Sequence, residues 1–93
     1  MKIGWLATAI ADLIAVREYI ARDNPQSAAA VSAKIRESVR ILANFPAAGR
    51  VGRISGTREL VIGGTPYVVI YRVRGAATEI LRVLHAAQDW PQQ

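Results

Sequence analysis

The chain has 93 residues, of which 52% are apolar and 20% charged; this balance argues against disorder and implies one folded domain spanning 1–93. It contains no cysteine, which excludes disulfide staples, a thiol nucleophile and cysteine-ligated metal sites. Twelve Lys/Arg against seven Asp/Glu leave a net charge of +5, and every cation except Lys2 and Lys34 is an arginine. So basic a domain suits a nucleic acid or an acidic protein as partner.

No apolar run reaches the roughly 18 residues of a membrane-spanning helix. The N-terminus turns amphipathic after one lysine and does not read as a signal peptide, so a cytoplasmic location is expected. Lys2 to Leu6 is short and apolar and predicts an edge strand. Thr8 is placed to cap a first helix, along which Ile10, Leu13, Ile14 and Ile20 recur at helical spacing. Asp12, Arg17, Glu18 and Arg22 lie on its other side. Asn24-Pro25 ends this helix and begins a second, with Asn24 as the cap and Pro25 in the first turn, where no N–H is needed. Ala28, Val31, Ile35, Val39 and Leu42 form its apolar stripe, and Pro46 and Gly49 close it.

The period then changes from helical to alternating. Thr57 to Ile62 reads as a strand, Gly63-Gly64 as a turn, and Tyr67 to Val73 as a central strand that is β-branched and aromatic. Arg74 to Ala77 makes a turn, Thr78 to Leu84 a further strand, and His85 to Gln93 an irregular tail. The order β-α-α-β-β-β predicts an α+β fold: an antiparallel sheet with a helical hairpin packed on one face.

Alternation assigns faces. Tyr67, Val69, Tyr71 and Val73, with Leu81 and Val83, are expected under the helices. Arg72 and Arg82, with Arg58, are then expected on the open side, where three guanidinium groups suit phosphate oxygens. The competing reading pairs each arginine separately with Glu59, Glu79 or solvent. Arg50 and Arg53 flank Gly52 in a loop and add to the candidate contact set. His85, the single histidine, lies just past a strand end and is the available general acid or base. Trp90 either covers the sheet or stacks on a ligand. One histidine and scattered carboxylates make no metal ligand set, and no cofactor-binding motif is present.

Several segments, taken together, resemble the RelE/ParE toxin superfamily, also known as plasmid stabilisation proteins. They are Ala11-Asp12-Leu13, Tyr19-Ile20-Ala21 and Asp23-Asn24-Pro25; Phe45-Pro46 with Gly49 to Arg53; Gly56 to Leu60; Thr65 to Arg72; and Leu81 to Pro91. Their order and spacing cover nearly the whole chain. The resemblance implies a toxin of a type II toxin–antitoxin system, neutralised by an acidic ParD- or RelB-like antitoxin. It also implies one of two targets. ParE-like members poison DNA gyrase; RelE-like members cut mRNA on the ribosome. The best-studied nucleases carry an arginine where this chain has Val68, and basic residues where it has Val61, Ile62, Ala86 and Ala87. Gyrase inhibition is therefore the leading expectation. A reduced nuclease site of His85, Arg82 and Arg58 is the alternative, and a non-enzymatic nucleic-acid-binding accessory domain is a third reading.

Overall fold

The computed structural model describes residues 2–88 and 90. β1 (Lys2–Trp5) leads into helices α1 (Ala7–Ala21) and α2 (Pro25–Arg40), and a 3-10 turn, Ile41–Ala43, follows α2. The chain then forms β2 (Arg50–Val51), β3 (Arg58–Val61), β4 (Tyr67–Arg74) and β5 (Ala77–His85). The sheet order is β1-β5-β4-β3-β2. The last three long strands form the expected antiparallel meander, and the helical hairpin packs on one face. The sheet as a whole is mixed, because β1 lies parallel to β5. The two helices carry the chain from β1 to β2 at the far edge, and the following strands return it so that β5 lies beside β1. β2 lies in the segment read from sequence as a loop; two residues are too few to show alternation.

Asn24 caps α2 as expected, its Oδ1 accepting from the Ser27 N–H at 3.1 Å. Ala28, Ile35, Val39 and Leu42 are buried, as the stripe predicts. Each large side chain among them contributes about 1.5–3 kcal/mol relative to exposure. At α1 the sequence reading needs correction. Leu6, not Thr8, occupies the cap position; the Thr8 hydroxyl instead donates to the Leu81 carbonyl at 2.9 Å. The buried side of α1 is Ala9, Leu13, Val16 and Ile20, whereas Ile10 and Ile14 face outward at 46% and 55% exposure. α1 is apolar on two sides, so periodicity alone does not say which side meets the sheet.

The face assignment of β4 holds for three of its four residues; Val73, at the far end of the strand, is 42% exposed and outside the core. Tyr67, Val69 and Tyr71 join Val83, Leu60 and Ile62 under the helices. On β5 a bulge interrupts the alternation: Ile70 faces Arg82, but Tyr71 faces Ile80. Leu81 is the extra residue. Ile80 therefore takes the core position expected of Leu81, and Leu81 packs with Val68, Ile70 and Leu84 on the other face. The β4–β5 hairpin closes on Gly75-Ala76, with Gly75 at φ +60°. Glycine first with positive φ is the type II′ choice, which matches the twist of the strands.

Of the tail read as irregular, residues 89 and 91–93 lie outside the described residues; His85 still belongs to β5. No helix among the described residues is long and apolar enough to cross a membrane.

Candidate functional site

The open face of the sheet carries Arg72 on β4 and, on β5, Arg82, with Arg50 and Arg53 at the β2 end. Each is held by a carboxylate. Glu59, whose side chain is 1% exposed, accepts from the Arg50 guanidinium at 3.0 Å and the Arg53 backbone N–H at 3.1 Å. Burial pushes the Glu59 pKa up, but the Arg53 N–H and the two guanidinium groups outweigh it and leave the carboxyl below its ordinary value. Arg72 donates to Glu79, its direct cross-strand neighbour, at 2.6 Å, and Arg74 lies 3.8 Å from the same oxygen. Pairing of the arginines with carboxylates describes this face, but not one to one: Arg50 and Arg53 share Glu59, Arg72 and Arg74 share Glu79, and the Asp12 partner of Arg82 was not expected.

Arg82 projects beside Leu84 and reaches the β5 edge. There Nε and Nη2 donate to the two oxygens of Asp12 on α1, at 2.7 and 3.2 Å. That pairing holds the Arg82 pKa above its ordinary value against the opposing effect of burial.

Arg58 does not join this face, contrary to expectation. It sits opposite Tyr71 and shares its side of β3 with the core residues Leu60 and Ile62. Its guanidinium donates to the Gly49 carbonyl at 2.8 Å. Beside it, the Tyr71 hydroxyl accepts from the Gly49 N–H and donates to the Pro46 carbonyl, both at 2.8 Å. A Cβ on Gly49 would lie 2.7 Å from the Tyr71 ring, so the loop makes this approach only with glycine.

His85 pairs with Tyr67 at the opposite end of β4, the rings meeting edge-on at 5.6 Å. Its Nδ1 accepts from the Ala87 N–H at 3.0 Å, which places the proton of the neutral ring on Nε2. Arg58, opposite Tyr71, and His85, opposite Tyr67, are thus separated by about 13 Å of strand. The structure does not bring His85, Arg58 and Arg82 to one point.

Trp90 lies on the open face against the cluster of Val68, Ile70 and Leu84. Its carbonyl accepts from Arg53 Nη1 at 2.8 Å, and the Arg82 guanidinium sits 5.7 Å from the centre of its ring.

A second surface lies at the helical hairpin. Between the hairpin and the Tyr67 end of the sheet lies an apolar groove of about 540 Å³. Ala15, Val16, Tyr19, Ile20, Val31 and Tyr67 line it, with His85 at its mouth. Tyr19 is 67% exposed and flanks the groove; Ile10 and Ile14 are exposed on the opposite flank of α1. Burial, with a smaller contribution from the nearby Tyr19 phenol, raises the Tyr67 pKa.

The family described as "ParE toxin of type II toxin-antitoxin system, parDE" matches residues 3–90. The Y4kP protein of Sinorhizobium fredii, which carries a provisional toxin name, is 46% identical over 91 residues, covering 98% of this chain and 94% of its own. Toxin RelE2 of Caulobacter vibrioides is 34% identical over 87 residues, covering 94% of this chain and 97% of its own. A solved structure from P. aeruginosa, titled as a chromosomal ParDE TA system, superposes with a TM-score of 0.82 at 31% identity, covering 91% of this chain and 95% of the solved one. Matched along nearly its whole length, and folded as the family folds, the chain belongs to the ParE toxin family of type II toxin–antitoxin systems.

Proposed function

We propose that this toxin arrests growth through a protein target, DNA gyrase, and does not itself cut mRNA. One observation carries the reading: the groups a nuclease would need are apart and already engaged. Arg58 is spent on the Gly49 carbonyl, Arg82 on Asp12, and His85 stands at the far end of β4. General acid–base cleavage needs its groups within hydrogen-bond reach of one reacting atom. A protein target requires only a presented surface. The whole chain, 1–93, acts as one toxin domain in the cytoplasm, where its target is found.

Membership of a type II system implies an antitoxin partner. Its docking belongs to the exposed apolar side of α1 that carries Ile10 and Ile14. An amphipathic helix with acidic flanks suits the exposed Ile10 and Ile14 and the +5 charge of the chain. The deciding experiment assays purified protein side by side for gyrase-dependent DNA cleavage and for mRNA cleavage on programmed ribosomes. Trapped gyrase–DNA complexes with intact mRNA are expected. Codon-phased mRNA cuts without gyrase complexes would assign the RelE-like activity instead.

A further inference from the structure

The open face of the sheet has an apolar centre, Val68, Ile70 and Leu84, in a ring of arginines. Trp90 seats on that centre from the C-terminal end of the chain. Two of the arginines hold it, Arg53 through the Trp90 carbonyl and Arg82 over the ring. The fit is incomplete. The indole N–H is buried and has no hydrogen-bond partner among the described residues. A buried donor without an acceptor weakens the seated state, since the same N–H is satisfied by water when the side chain swings out.

We propose that Trp90 is a displaceable occupant of a docking seat on the open face, and that the cognate antitoxin displaces it with an apolar anchor of its own. The inference rests on the toxin–antitoxin reading and adds a second contact to the α1 surface. The seat suits a protein segment better than a nucleic acid. Its centre is the apolar cluster of Val68, Ile70 and Leu84, which takes an apolar side chain and offers nothing to a phosphate. A peptide with one large apolar side chain flanked by carboxylates replaces what Trp90 supplies. The anchor fills the centre, and the carboxylates take the Arg53 and Arg82 valences that the Trp90 carbonyl and ring now occupy.

The test uses the full chain with Trp5→Phe, which leaves Trp90 as the single tryptophan. Adding purified cognate antitoxin should shift Trp90 emission to the red as the indole moves into water. Trp90→Ala should bind the antitoxin more tightly, by about tenfold if Trp90 fills the seat nine-tenths of the time. A complex that forms with emission unchanged or blue-shifted overturns the inference and leaves the toxin reading intact. So does a Trp90→Ala variant that binds equally or more weakly while its circular dichroism is unaltered. If oligothymidylate gives the red shift and the antitoxin does not, the seat belongs to nucleic acid and the proposal fails. If no complex forms at all, the toxin–antitoxin reading falls and takes this one with it.

Discussion

Asp12 and Arg82, seventy residues apart in sequence, close the β5 edge where β1 runs out. β1 pairs with β5 only as far as Ile80. Beyond it, the Val83 N–H donates to Asp12 Oδ2 at 3.0 Å, while both Asp12 oxygens accept from the Arg82 guanidinium. Thr8, one turn earlier on α1, takes up the Leu81 carbonyl. Side chains of α1 thus stand in for a missing strand. An edge that would otherwise leave unpaired backbone groups is covered by a helix.

Removing that carboxylate is therefore expected to destabilise the fold. Asp12→Ala leaves the Val83 N–H without its acceptor and strands Arg82. The expected loss is about 1–3 kcal/mol, set mainly by the backbone donor, since Arg82 is part-exposed and partly compensated by water. Asp12→Asn keeps one oxygen for Val83 and should lose less. Urea midpoints for the two variants check this; equal losses would show that the ion pair, not the backbone bond, dominates.

Glu59 gives a pH dependence. Its pKa is lower in the folded chain than in the unfolded one. Its contribution to stability is therefore fully present above the ordinary glutamate value of about 4.3 and fades as pH falls through the depressed folded value. Denaturant midpoints measured from about pH 6 down to about pH 3 should drop more steeply for the wild type than for Glu59→Gln. Parallel curves for the two proteins would mean that Glu59 is not the group responsible.

The fold was readable in the chain because most elements carry local marks: Asn24-Pro25 at a helix start, Gly75 at a tight hairpin, unbroken β-branched and aromatic residues through β4. The site was less so, and each miss has a physical source. Arg58 follows Leu60 and Ile62 to the helix face, which depends on which side of β3 is buried. The bulge at Leu81 shifts the alternation of β5 by one residue and has no glycine to announce it. The Asp12–Arg82 pair joins elements far apart in sequence, and nothing local links them. α1 hid its own orientation by being apolar on both sides.

That second apolar side leads to a test of the antitoxin surface. Ile10 and Ile14 contribute little to the fold, so Ile10→Asp with Ile14→Asp should change stability by only about 0.5 kcal/mol per site. Antitoxin affinity should fall at least about tenfold for each apolar anchor removed, since burying one contributes about 1.5–3 kcal/mol. In cells, the doubly substituted toxin should arrest growth even with the antitoxin co-expressed. Full neutralisation of this variant would move the antitoxin site away from α1.

His85 separates the two mechanisms most directly. It is exposed, its ring touches Tyr67 at one edge, and its Nδ1 lone pair is taken by the Ala87 N–H. Glutamine at this position keeps a polar group that can accept from the same N–H but cannot shuttle a proton. If the chain acts on gyrase, His85→Gln should arrest growth as the wild type does, with the DNA-damage response induced and transcripts intact. If it cuts mRNA with His85 as proton donor, the same change should lower cleavage by roughly a hundredfold or more, as loss of general acid–base catalysis does. Mapping transcript ends after induction of each form distinguishes these outcomes. Codon-phased cuts by the wild type that vanish in His85→Gln would overturn the gyrase reading, whatever the in vitro gyrase assay shows.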